Sequence, residues 1–215
     1  VTATQQRSSA APARRGRRGG RRPANTSRLL NAVAGLVLAG AAVLLQTVSL
    51  DEGEQNLPLT YVGAKGEDVD AKRFTARLDS YVTAKSIKSL TGKTIGTDHL
   101  FLVVSASAKS SLKPYKLGQP VLMTEDGKKF SATDRVDSTE TLSNVWVQPD
   151  IWVSGRYFFE VPASALPGAR VVFGLPTAFI VETYQPEVEV DLGLDEAGAR
   201  RLAASAQDVY SLDKK

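Results

Sequence analysis

The chemistry open to this chain is narrow. His99 is its one histidine and it has no cysteine. A Ser-His-Asp triad would therefore depend on that single base, and a zinc site of the common kind lacks ligands. His99 opens the apolar stretch "TDHLF", where a structural or solvent-facing role is expected. Ser110 precedes Lys113 by three residues, a serine–lysine spacing that shares one face only on a helix. This segment reads instead as a strand end or loop. "TGKT" (Thr91–Thr94) has the look of a phosphate loop, but Ile87 stands where the first glycine is required and no strand-to-helix transition follows.

Acidic residues offer little more. Glu187, Glu189 and Asp191 alternate along one strand face, whereas calcium needs six or more oxygens converging from several directions. Asp134, Asp137 and Glu140 share a loop without the spacing of a calcium loop. No catalytic, cofactor or metal residue is assigned, and the chain is expected not to be an enzyme. Recognition has a better candidate in "WVQPDIW". Trp146, Val147, Pro149, Ile151 and Trp152 form a candidate partner-binding patch, since loops carry recognition and Trp favours interface hot spots. The competing reading is that both rings close the end of the core.

Strands must position these groups. "RFTARLDSYV" sets Phe74, Ala76 and Leu78 against Arg73, Thr75, Arg77 and Asp79. "HLFLVVSASA" is denser, as in a strand covered on both faces. Asp126-Gly127 between apolar runs is a hairpin turn. "GRYFFEVP", "ARVVFG" and "TAFIVETY" follow, and "EVEVDLGL" turns Val188, Val190 and Leu192 inward with its acids outward. Such short strands with turns between them predict an all-β, antiparallel sandwich over 57–194, with long loops at Ser86–Asp98 and Ser131–Ser143. Asp195 then caps a short C-terminal helix, with a tail to Lys215, and Ala199, Leu202, Ala203 and Ala206 lie on one face of it.

Charge divides the chain unevenly. Up to Arg28 there are eight arginines and no acid; from Asp51 onward, 27 − 8 = 19 basic residues face 23 acidic ones. Between them, residues 29–50 carry no charge at all. As a helix these 22 residues would reach roughly 33 Å, matching the ~30 Å hydrocarbon core. A transmembrane helix is expected, with residues 1–28 a disordered cytoplasmic tail and 51–56 a tether. Arg14, Arg15, Arg17, Arg18, Arg21, Arg22 and Arg28 act as topology determinants and keep the N-terminus inside. They would also draw anionic membrane lipid. No aromatic residue is interleaved for base stacking, so nucleic acid is not an expected partner. "AGA" at Ala39–Ala41 offers a cleavage pattern, but the apolar run continues through Val43, Leu44 and Leu45, which favours an uncleaved signal anchor.

Three stretches, "DHLFLVVSASAKSS", "PVLMTEDGKKFSA" and "VSGRYFFEVPASALPGARVVFG", resemble the DUF4352 domain, similar in turn to the MPT63-like secreted immunoglobulin-like sandwiches. Asp126-Gly127 and Phe130 match its hairpin, and Phe158/Phe159-Glu160-Val161-Pro162 its late strand. "VSG" at Val153–Gly155 replaces the usual Pro-Gly, and Lys109-Ser110-Ser111 the usual Asn. The resemblance covers Asp68 to Gly174. It implies an extracytoplasmic immunoglobulin-like domain with no shared catalytic residues.

The resulting expectation is a single-pass cell-membrane protein whose non-catalytic ectodomain contacts a membrane or cell-envelope protein, for instance as an accessory subunit of a membrane complex. The alternatives are an extracytoplasmic small-ligand sensor or carrier, which needs a cavity, and a carboxylate hydrolase, which needs two converging acids.

Overall fold

A computed structural model describes residues 26–48, 57–176 and 183–213, with side chains of the first helix described over 30–43. The chain divides into two compact units, Val1–Leu50 and Asp51–Lys215. The first holds helix α1, Thr26–Val48, starting three residues before the expected span and ending two residues short of it. Among the described residues no helix is long and apolar enough to cross a membrane. The stretch with described side chains is 14 residues, roughly 21 Å at 1.5 Å per residue. Arg14, Arg15, Arg17, Arg18, Arg21 and Arg22 lie outside the described residues, and Arg28 falls in α1 beyond its described side chains.

In the second unit, period-2 alternation produces strands that bury one face each. One sheet runs β1 (Leu59–Ala64), β11 (Pro186–Asp191), β10 (Arg170–Gly174), β6 (Val121–Met123), β7 (Lys129–Ser131). The other runs β12 (Tyr210–Ser211), β3 (Phe74–Lys88), β4 (Thr94–Ser110), β9 (Val153–Val161), with β2 (Val69–Asp70) on the edge of β3. A small ribbon joins β5 (Tyr115–Lys116) to β8 (Trp146–Val147). Phe74, Leu78, Leu102 and Phe159 of one sheet share a core with Leu122, Phe173, Val188 and Val190 of the other. The unit is a β-sandwich. Each fully buried Phe contributes about 1.5–3 kcal/mol relative to exposure.

A second, smaller cluster explains the density of "HLFLVV". Phe101, Val103 and Phe158 point to the opposite face of the β3–β4–β9 sheet, where they cluster with Ile87 and Ile95 of the same sheet and with Val136 and Leu212. Both faces of mid-β4 are thus buried. A bulge between Leu78 and Ser80 shifts the parity of β3, so Leu78 and Tyr81 both pack on the larger core.

Several expectations change. Pairing is antiparallel except for β1 with β11 and β12 with β3, which are parallel. Parallel neighbours need a crossover, and both arise where the chain leaves one layer and returns at a sheet edge. The Ser86–Asp98 loop is instead a β3–β4 hairpin: "TGKT" lies at its turn, where Ser89 N donates to Lys93 O at 2.8 Å and Gly92 has φ +84°. The Ser131–Ser143 loop carries two short 3-10 turns, Ser138–Glu140 and Leu142–Asn144. Glu189 is buried rather than solvated, because Arg170 Nη1 donates to its Oε1 at 2.7 Å. "TAFIVETY" falls mostly outside the described residues.

Helix α2 spans Glu196–Ala204, with Asp195 Oδ1 accepting from Gly198 N at 2.6 Å as its cap. Ala199, Leu202 and Ala203 pack on the larger core. Beyond it, Tyr210–Ser211 returns as β12 on the edge of β3.

Candidate functional site

Chain direction sorts the residues to two ends of the sandwich. β3 starts, β4 finishes and β9 starts at one end, since Phe74 pairs with Ser110 and Ala108 with Val153. The chain enters the β unit at the same end. Leu59 N donates to Gln185 O at 2.9 Å, Pro58 shares a cleft with Gln119 and Leu175, and Gly118 N donates to Gly174 O at 2.9 Å. Gly118 lies two residues beyond β5. Helix α2, the Asp126-Gly127 hairpin and the Ala163–Ala165 turn occupy the opposite end.

The "WVQPDIW" loop is pinned to the entry end. Ser110 N donates to Gln148 O and Asp150 N to Ser110 O, both at 3.1 Å, and Asp150 takes φ +57° in the turn between Gln148 and Ile151. Of the five candidate patch residues, Trp146 and Ile151 are exposed and Pro149 and Trp152 are half-buried. Val147 is fully buried, so it belongs to the core and is removed from the patch. It faces inward because β8 pairs Lys116 with Trp146 and alternation sends the next side chain to the opposite side.

Cations surround the rings. Arg77 Cζ and Lys109 Nζ lie 5.0 and 5.3 Å from the Trp152 centroid, and Lys116 Nζ lies 5.6 Å from that of Trp146. Arg73 Cζ and Lys113 Nζ approach the Tyr115 ring at 5.3 and 5.5 Å. Arg77 is also held by Asp79 Oδ1 at 2.6 Å and Asp68 Oδ1 at 3.0 Å; the Asp79 hydrogen bond, above all, raises its pKa. Lys116 Nζ donates to Asn144 Oδ1 at 2.9 Å. Among the described residues, Lys109, Lys113 and Lys116 form no ion pair. The sequence reading missed all of these cations. "KSSLKPYK" displays the lysines and Tyr115, but not their convergence on two distant tryptophans.

The chemical candidates disperse. Ser110 is buried on β4 while Lys113 lies over Tyr115, so no dyad forms. His99 is exposed, its backbone N–H bound to Thr97 Oγ1 at 3.0 Å. Asp137 accepts from Thr139 N at 2.9 Å, which lowers its pKa, and Glu140 Oε1 accepts from Leu90 N at 2.9 Å. Glu187 accepts from Thr60 Oγ1 at 2.7 Å. Among the described residues no group of three or more such side chains could hold a metal. Glu160 is clamped by Arg135 Nη1, at 2.9 Å to both oxygens, and by Thr97 Oγ1. Burial pushes its pKa up, but these partners outweigh burial and hold it low.

Among the described residues, clefts of 250 to 510 Å³ open at the surface. Two of them, 470 and 450 Å³, share Ser164, Pro167 and Glu196 and form one groove beside α2.

No known protein family matches the chain, and no curated protein matches it. Among solved structures it is similar to the ycdA protein of Bacillus subtilis, at 19% identity over 66% of this chain and 42% of that one, with a TM-score of 0.45. It thus spans 42% of that protein's length. The yjhA protein of Bacillus subtilis is 13% identical over 60% of this chain and 98% of its own, TM-score 0.45. An uncharacterized β-sandwich protein of Clostridium difficile is 10% identical over 63% and 95%, TM-score 0.38.

Proposed function

We propose that this chain is a membrane-anchored, non-catalytic extracytoplasmic domain. In this reading α1 crosses the bilayer, the arginine-rich segment stays in the cytoplasm, and an immunoglobulin-like sandwich of the DUF4352 kind presents its Trp146 end to a partner at the membrane or in the cell envelope. One observation carries the anchor. Every described side chain of α1, residues 30–43, is exposed, and Asn31 is the one polar residue among them. A helix apolar all round has no face to turn to water, and lipid is the solvent that suits it.

The cysteine-free chain makes a clean test. Ser8→Cys and Lys93→Cys are expressed separately in the full chain and intact cells are treated with a membrane-impermeant maleimide. Labelling of the Lys93→Cys variant alone is expected. Labelling of the Ser8→Cys variant alone would invert the topology, and labelling of neither would remove the extracytoplasmic assignment.

A carrier function is the second reading, and the groove beside α2 favours it, because 450 to 470 Å³ lies within the range of small-molecule sites. A ligand there should protect the backbone amides of Ser164 and Glu196 from hydrogen exchange.

A further inference from the structure

We infer that the entry end of the sandwich lies against the surface of an anionic bilayer, with the Trp146 ring, Ile151 and Leu112 at the lipid interface and Lys109, Lys113 and Lys116 on lipid phosphates. This names the partner of the face proposed above and rests on that membrane-anchored reading.

Three observations converge. The first is apolar exposure. Leu57, Leu59, Leu112, Trp146, Ile151 and Tyr184 are at the entry end, and they are six of the ten exposed large hydrophobic side chains described in the β unit; Val62, Leu90, Val145 and Val209 are the others. Leu112 is 83% exposed, Ile151 59% and Trp146 56%. Concentrated exposure of this kind marks a contact surface.

The second is charge. From Asp51 onward the chain carries 23 acidic against 19 basic residues, yet the entry end gathers Arg73, Lys109, Lys113 and Lys116 around its aromatic rings. The acids there are Asp68, Asp70, Asp79, Asp150 and Glu187; Asp68 and Asp79 are taken up by Arg77, Asp70 by Lys72, and Glu187 accepts from Thr60. Aromatic rings beside lysines, with aliphatic side chains projecting past them, suit the headgroup layer, where an apolar body and a cationic tip each find their own medium. A soluble polyanion would use the lysines and leave Leu112 and Ile151 in water.

The third is reach. Pro58 stands at this end, and nine residues, 49–57, separate it from the last residue of α1. At 3.3–3.6 Å per residue the ten steps from Val48 to Pro58 extend at most about 36 Å. If α1 crosses the bilayer, the chain leading from it joins the sandwich at the entry end.

Trp146 and Trp152 are the two tryptophans of the chain, so Trp152→Phe leaves Trp146 as sole reporter. Full-length protein carrying that change is reconstituted in nanodiscs of phosphatidylglycerol or of phosphatidylcholine. Acrylamide quenching of Trp146 should fall by at least about twofold in phosphatidylglycerol, and brominated phosphatidylglycerol should quench it directly. Adding Lys113→Gln and Lys116→Gln should restore the phosphatidylcholine value. Equal accessibility in both lipids would overturn the inference, whether Trp146 is open or is covered by the acidic tether residues Asp51, Glu52 and Glu54. Shielding that survives both lysine changes would overturn it too. Protein that stays outside the discs would refute the anchor itself, which separates that failure from a failure of docking.

Discussion

The Arg77 guanidinium lies 5.0 Å from the centroid of the Trp152 ring. Lys109 approaches the same ring at 5.3 Å, while Trp146 stands 56% exposed. The two tryptophans framing one short loop therefore do different jobs. Trp152→Ala should destabilise the sandwich by about 1–3 kcal/mol, through lost packing and lost cation–π attraction. Trp146→Ala should stay within about 0.5 kcal/mol of the parent. Urea unfolding of both variants checks this, and equal losses would refute the division.

Gly155 is where backbone closeness is required. A Cβ built there would meet Leu142 Cβ at 2.8 Å and its Cα at 3.0 Å, and Leu142 is fully buried. Gly155→Ala should cost about 1–3 kcal/mol by overpacking. A melting temperature equal to the parent's would show that the Leu142–Asn144 turn can retreat.

The Asp126 carboxylate accepts from Lys128 and Thr124, and these partners hold its pKa down to about 2 against an ordinary 3.8. A carboxylate with a depressed folded pKa supports the native state above its unfolded pKa and loses that support as pH falls through the folded one. Its contribution is thus complete above about pH 5, falls as pH drops through the two pKa values, and is gone by about pH 1. Carboxyl NMR should place the Asp126 midpoint near 2, and Lys128→Met should move it upward. A midpoint already near 3.8 in the parent would contradict the hydrogen bonding.

Asp195 caps α2 through Gly198 N at 2.6 Å. Asp195→Ala should cost about 0.5–2 kcal/mol. Because Thr83 Oγ1 donates to Leu202 O and Gln207 N to Thr83 O, fraying of α2 should spread to β3. Hydrogen exchange should quicken at Thr83 and Gln207; protection unchanged there would confine the cap's role to the helix.

Much of this protein was legible before its tertiary structure. Alternation at Phe74, Ala76 and Leu78 and at Val188 and Val190 is a local property of the strand, so the inward set could be read directly. The Asp126-Gly127 turn and the Asp195 cap are equally local. Where the reading failed, a distant residue had intervened: Arg170 turned Glu189 into a buried ion-pair partner, and the pairing of β8 with β5 sent Val147 inward.

The sequence by itself determined a β-rich domain preceded by a charge-free apolar stretch, because hydrophobic periodicity and charge are carried by neighbours along the chain. Only the tertiary structure decided that Arg73, Lys109, Lys113 and Lys116 meet Tyr115, Trp146 and Trp152 at the end where Pro58 enters. That meeting depends on which strands pair across more than thirty residues of chain. Such pairing is settled by how two sheets bury their faces together, and no local pattern records it.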